Sequence, residues 1–319
     1  MIPRTPWRPC SNAGCRRWTL VLAASLTLMA GQVRGAEDEP TVAEPEVIRL
    51  TTKDGVVLRC TYFAGGNGKQ TVPVILLHGW NGQRTDMEGL ASYLQTEGGH
   101  AVIVPDLRGH GDSTVQRMAG QEDQKLDRQR FRASDLAAMV TMDLEAVKRH
   151  LMVQNNAGAL NIELLCVVGT EMGSVIGLNW VAKDWSWPQL PTVKQGQDVK
   201  AFVLISPEFS AKGLPITQAL AHEIVRGKLS AMIVFGKNDP GAASTSRRIY
   251  TAFKRFHPAI PTDPEEREKK QDLFLVELDT SLQGTKLLST AGLNVPQLIA
   301  QFIDLRLVRK QEDFPWRNR

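Results

Sequence analysis

The chain predicts an α/β domain built on a mostly parallel sheet, and three observations carry that expectation. Short aliphatic runs, Val72 to Leu77 and Leu164 to Val168 among them, are too short for helices and lack strict alternation, so they fit strands buried on both faces. Other segments repeat apolar residues every three or four positions, the mark of helices lying on such a sheet. Finally, Gly169-Thr170-Glu171-Met172-Gly173 links one apolar run to another, Val175 to Ala182, as a sharp strand-to-helix turn would.

With 319 residues and 42% hydrophobic content, the chain can bury one large core, and a single domain over residues 46–308 is expected. Residues 1–36 carry Arg4, Arg8, Arg16, Arg17 and Arg34, no acid, an apolar run from Trp18 to Ala30, and small residues at Gly35 and Ala36. That is a signal-peptide pattern. The run is well short of the ~20 residues a spanning helix needs, so an exported protein, periplasmic or extracellular, without stable membrane insertion is expected. Without this leader 33 Lys and Arg face 34 Asp and Glu, a net charge of −1. The basic pI therefore belongs to the leader and gives no argument for a nucleic-acid partner.

Residues 37–45, rich in Glu and Pro, read as a flexible entry segment. Val47 to Thr52, the Asp54-Gly55 turn and Val56 to Phe63 read as a β-hairpin, because Asp-Gly supplies the positive φ that tight turns need. Gly65-Gly66-Asn67-Gly68-Lys69 is a turn and not a phosphate cradle, since Phe63 stands where the first glycine of that motif belongs. Val72 to Leu77 is a buried strand ending in His78-Gly79-Trp80-Asn81-Gly82. Asp86 to Thr96 has helical spacing, Ala101 to Val104 is a second buried strand, and residues 114–132, charged and Gln-rich, read as a solvated loop. Leu136, Met139, Val140, Leu144, Val147 and Leu151 mark one helical stripe, with the nearby methionines as core filler. Trp180, Trp185 and Trp187 read as packing beneath a long loop. Ala201 to Ile205, Ala231 to Phe235 and Leu273 to Leu278 are further strands. His222-Glu223 opens like a zinc-protease motif, but Arg226 stands where the second histidine is required. Asn294 is expected to cap a final helix begun by Pro296, and the basic tail, 309–319, is expected to fray.

Three landmarks, in this order, resemble the α/β-hydrolase superfamily: a strand ending in His78-Gly79-Trp80, a strand followed by Asp106-Leu107-Arg108-Gly109-His110-Gly111-Asp112-Ser113, and the Gly169–Gly173 turn, which resembles the nucleophile elbow. The resemblance spans about residues 46–308. It implies an α/β-hydrolase fold with about eight strands, helices on both faces, and a small cap or none over Pro207 to Lys228. In the strand order it implies, two strands separate Cys60 from Cys166, too far for a disulfide, so both are expected as buried free thiols.

Acyl transfer on this fold needs a nucleophile on the elbow, a histidine base, an orienting acid and two backbone N–H donors. By resemblance the donors are Trp80 and Met172, the elbow glycines are Gly169 and Gly173, and the acid position is Asp239, which equally suits an ordinary turn. Glu171 occupies the nucleophile position and Gln283 the histidine position, and no histidine lies beyond residue 257. An amide cannot take a proton from water. Glu171 facing Gln283 is therefore expected to form a hydrogen-bonded polar cluster, with Asp239 a further candidate member. Two functions follow: a pseudo-hydrolase binding a small molecule or a protein, or a hydrolase of ester, epoxide or related substrates using Glu171 in a non-standard mechanism. No cofactor and no metal is implied.

Overall fold

The computed structural model describes residues 42–118, 120–192 and 194–319, so the leader and most of the entry segment lie outside the described residues. Strands β1 (Glu46–Thr51) and β2 (Val56–Phe63) pair antiparallel, from Glu46 opposite Tyr62 to Thr51 opposite Val57. Gly55 turns the chain between them at φ +84°, where a Cβ would also strike the Arg117 carbonyl. The aliphatic run forms β3 (Pro73–Leu77), buried at every position. A 3-10 turn then leads into α1 (Glu88–Gly98), which ends at Gly99 in the left-handed region before β4 (Ala101–Pro105).

The stretch after β4 departs from the solvated loop expected of it. It contributes β5 (Val115–Gln116) and β6 (Gln124–Lys125), a two-stranded ribbon, and packs Leu126 and Phe131 against the core. The cause lies in β2. Its C-terminal half pairs with β4, which leaves the backbone of Val56 and Val57 open on that side, and β5 takes up those groups.

Helices α2 (Ala133–Ala138) and α3 (Leu144–Asn156) run on from each other through a π turn, Met139–Asp143, and bury the expected apolar stripe. Strand β7 (Leu165–Thr170) leads into α4 (Met172–Trp185), buried on most sides, and then β8 (Val199–Ile205). Where a cap would stand there are only a ribbon, β9 (Ser210–Ala211) with β10 (Leu214–Pro215), and two short helices, α5 (Thr217–Ala221) and α6 (Glu223–Gly227). The chain continues through β11 (Ser230–Gly236), α7 (Pro240–Lys254), α8 (Pro264–Lys270), β12 (Leu273–Leu278), α9 (Lys286–Ser289) and α10 (Val295–Arg306).

Among the described residues the main sheet has 10 strands, with β12-β11-β8-β7-β3-β4 parallel and β2, β1, β5 and β6 antiparallel beyond them. The two strands beyond the expected eight are the ribbon. Alternate side chains serve the two faces: Ile75, Leu77 and Val167 pack under α2, α3, α4 and α7, whereas Val74, Leu76 and Val168 pack under α1, α9 and α10. Trp180 is fully buried and Trp185 donates to the Val199 carbonyl at 2.8 Å, so both serve packing. Cys60 and Cys166 are buried free thiols with β4 and β3 between them. Among the described residues no helix is long and apolar enough to cross a membrane.

Two terminal expectations are corrected. Asn294 does not cap α10 through its side chain; it takes φ +53°, and its carbonyl accepts from Leu298 N–H at 3.1 Å. Asparagine tolerates this left-handed geometry better than most residues, which explains its presence there. The tail is docked, not frayed. Trp316 donates to the Leu160 carbonyl at 3.1 Å, Lys69 sits over its ring at 4.0 Å, and Arg319 pairs with Asp198 at 2.5 Å and Glu163 at 2.9 Å. Composition registers the positive charges of the tail but not the buried carboxylates that receive them.

Candidate functional site

The site begins at the end of β7. Glu171 holds φ +49° and ψ −115°, a costly backbone for a residue with a side chain, on the order of 1–3 kcal/mol, and it is fixed by its neighbours. Its N–H donates to the Ile205 carbonyl at 2.9 Å, and its carbonyl accepts from Ser174 N–H at 3.0 Å. The flanking glycines are sterically required. A Cβ on Gly169 would lie 2.5 Å from the Gly173 carbonyl oxygen, and one on Gly173 would strike the carbonyls of Leu77 and His78. The turn therefore keeps the form of a nucleophile elbow with a carboxylate at its apex.

That carboxylate lies between two other glycines. A Cβ on Gly79, in the loop after β3, would collide with Glu171 Oε2, and one on Gly284 would lie 2.6 Å from Oε1. Glu171 thus fills the gap between the Trp80 loop and the loop that carries Gln283. Among the described residues its carboxylate has no hydrogen-bonded partner. Burial raises its pKa above the usual carboxylate range, opposed by the Lys286 ammonium. Glu208, in the loop after β8, is also raised, by partial burial and then by the negative charge of Glu171. Glu208 thus feels the charge of Glu171, and Lys286 offsets that charge at Glu171 itself.

Gln283 turns its amide elsewhere. Its Oε1 accepts from Ser206 Oγ at 2.7 Å and its Nε2 donates to the Gly236 carbonyl at 2.8 Å, while Ser206 Oγ accepts from Gly284 N–H at 2.9 Å. The amide is used to stitch the ends of β8 and β11 to the Gly284 loop. Asp239 serves as the N-cap of α7, its Oδ1 accepting from Ala242 N–H at 2.9 Å. The hydrogen-bonded cluster of Glu171, Gln283 and Asp239 anticipated from sequence is therefore replaced by three separate arrangements. Glycine spacing could have suggested Gly284; nothing in the sequence marked Ser206, whose φ of +47° turns its hydroxyl position just after β8.

Neither nearby histidine is available as a base. The His78 ring is fully buried, accepts from Leu107 N–H at Nε2, 3.1 Å, and donates from Nδ1 to the Gly79 carbonyl at 2.8 Å. Burial and the adjoining His110 lower its pKa to about 4, so it is neutral near pH 7. His110 lies between the carbonyls of Arg108, 2.9 Å, and Trp80, 3.0 Å. Arg128 also reaches the Trp80 carbonyl, at 3.2 Å, and so helps fix that peptide. The N–H groups of Trp80 and Met172 have no other acceptor among the described residues. The loop after β4 is held by two buried acids: Asp106 accepts from Arg84 and Asp112, and Asp143, on the π turn, accepts from the Arg108 guanidinium at 2.6 and 2.9 Å. Asp143 lies on the same helical stripe, four residues after Met139 and four before Val147, but as an acid among apolar residues it carried no motif that would mark it.

The order of strands, the elbow and the two strand-end loops agree with the profile of the alpha/beta hydrolase fold, which matches residues 72–224. The chain has the alpha/beta hydrolase fold. Solved structures that resemble this fold include an esterase of Pyrococcus furiosus, 17% identical over 83% of this chain and 93% of that one, with a TM-score of 0.56. A dienelactone hydrolase from Anabaena variabilis is 13% identical over 83% and 98% at a TM-score of 0.55, and an esterase from Exiguobacterium antarcticum is 13% identical over 81% and 100% at 0.51. At these identities the likeness is one of fold. None of the curated proteins matches the sequence. Among the described residues no three or more His, Cys, Asp or Glu side chains are gathered to hold a metal ion.

Proposed function

We propose that this is an exported α/β-hydrolase-fold binding protein, which holds a small molecule or a protein partner at the elbow without serine-hydrolase turnover. The observation that carries the reading is the amide of Gln283, hydrogen-bonded to Ser206 and Gly236, in the loop where the resemblance puts the catalytic histidine. Turnover through an acyl or glycol ester on the elbow needs a base to activate water, and an amide engaged in this way cannot supply one. Glu171 adds a second obstacle, since its carboxylate occupies the gap between Gly79 and Gly284 that a reacting group would enter. Export rests on the leader pattern of residues 1–36.

One observation favours a second reading. The Glu171 carboxylate has no protein hydrogen bond among the described residues, its pKa is raised, and the Trp80 and Met172 N–H groups stand free, which suits a carboxylate acting as base or nucleophile. The esterases and the dienelactone hydrolase of similar fold make ester and lactone hydrolysis the first chemistry to examine. The test is to assay residues 37–319 on short-chain esters, epoxides and haloalkanes beside Glu171→Gln. The binding reading expects both proteins to stay at background; turnover present in the parent and lost in the variant would overturn it.

A further inference from the structure

The opposite end of the sheet carries a second concave surface. Glu163 precedes β7, Lys200 is the second residue of β8, Lys228 and Leu229 precede β11, and Asp272 precedes β12; together they border a hollow of about 390 Å³. Ligands of α/β sheets usually bind at the carboxyl ends of the strands, and this hollow lies at their amino ends. The seven residues of β8 separate it from the elbow by about 20 Å at ~3.3 Å per residue.

Its lining carries six cationic side chains against three carboxylates. The surplus falls on particular residues. Glu163 is engaged by Lys194 and Arg319, and Asp272 by Arg306 and Lys310. Lys200 and Lys228 have no carboxylate at ion-pair distance among the described residues, and Asp313 on the rim is the one lining acid without a cationic partner there. The Lys200 ammonium reaches only the Gln197 carbonyl and lies 4.9 Å from the Trp185 ring centre and 5.2 Å from that of Phe314. Both rings are half-buried and part of the lining. On the inner wall Arg306 is almost wholly buried, and its Nε has no hydrogen-bond partner. A buried N–H donor without an acceptor is uncommon and invites one.

We propose that this hollow is a second binding site, which takes a small organic anion: a carboxylate or phosphate carried on a flat apolar body. The anion pairs with Lys200 and Lys228, and the apolar body lies against Trp185 and Phe314. The titration of Lys200 agrees with this arrangement: burial and then Lys194 lower its pKa to about 8, against the pull of Glu163, Asp198 and Asp184. An anion that neutralises it relieves that repulsion. The site does not depend on the chemistry at Glu171.

Calorimetric titration of the protein with phenyl phosphate and with benzoate at low ionic strength tests the proposal, with inorganic phosphate as the probe without an apolar body. Saturable 1:1 binding of either organic anion is expected, about tenfold or more weaker in Lys200→Gln and in Lys228→Gln, weaker for inorganic phosphate, and unchanged in Glu171→Gln. Circular dichroism establishes that the variants fold. Benzoate keeps its charge between pH 7 and 9.5, so in the unaltered protein its affinity should fall over that range as Lys200 loses its proton. No saturable binding of either organic anion, or binding indifferent both to the two lysine variants and to pH, would overturn the proposal.

Discussion

At the residue scale, the glycines of the elbow measure how much of the architecture is fixed. Gly173→Ala brings a Cβ against the backbone carbonyls of Leu77 and His78, which cannot swing aside, and should cost about 3 kcal/mol or more of stability. Gly89, on the open face of α1, has nothing within 4 Å of an added Cβ, so Gly89→Ala should be neutral or stabilising by up to ~1 kcal/mol. Urea denaturation of the pair separates a steric requirement from ordinary helix propensity. His78 provides the pH dependence. Its folded pKa of about 4 lies below the ordinary histidine value, so between pH 6.5 and 4 the unfolded chain binds the extra proton and stability falls as pH falls, by about 1.4 kcal/mol per unit at most. Denaturation midpoints from pH 7 to 4 should decline in the parent and decline less in His78→Gln. The glycines of the elbow turn were legible in the sequence because the motif fixes their spacing. The direction of the Gln283 amide was not, since it depends on Ser206, which lies 77 residues earlier and carries no motif.

At the scale of elements, the strands and the long helices followed directly from aliphatic runs and apolar stripes, because burial on both faces of a parallel sheet leaves little room for other residues. Segments whose structure depends on distant partners were the ones misread. The ribbon β5–β6 forms because β2 offers it unpaired backbone groups, and the tail docks because Glu163 and Asp198 are buried where Arg319 can reach them. Burial alone would push the Asp198 pKa up, but Lys148, Lys194 and Arg319 hold it down to about 2, so their pairing stabilises the fold above pH 4 and is lost as pH falls toward 2. Arg319→Ala should therefore lower stability by about 1–3 kcal/mol at neutral pH. Because these ions are buried, 0.5 M salt should change that difference little, which denaturation of both proteins with and without salt will measure.

At the scale of the whole molecule, the sheet presents two unlike ends. Its carboxyl end carries the elbow turn, the Trp80 and Met172 N–H groups and the strand-end loops, with the Glu171 carboxylate and the Gln283 amide where the proposed reading puts nucleophile and base. Its amino end holds a cationic hollow partly walled by the tail. On the function proposed above, serine-hydrolase chemistry would be missing for a local reason, two side chains on an intact frame. The measurement that tests this most directly is labelling of the double variant, Glu171→Ser with Gln283→His, by a fluorescent serine-directed phosphonate, followed by mass spectrometry. The account predicts no adduct on the parent protein and a slow, covalent adduct at position 171 of the double variant, slow because Asp239 remains committed to capping α7. An adduct on the parent elbow, or a folded double variant that stays unlabelled, would contradict it.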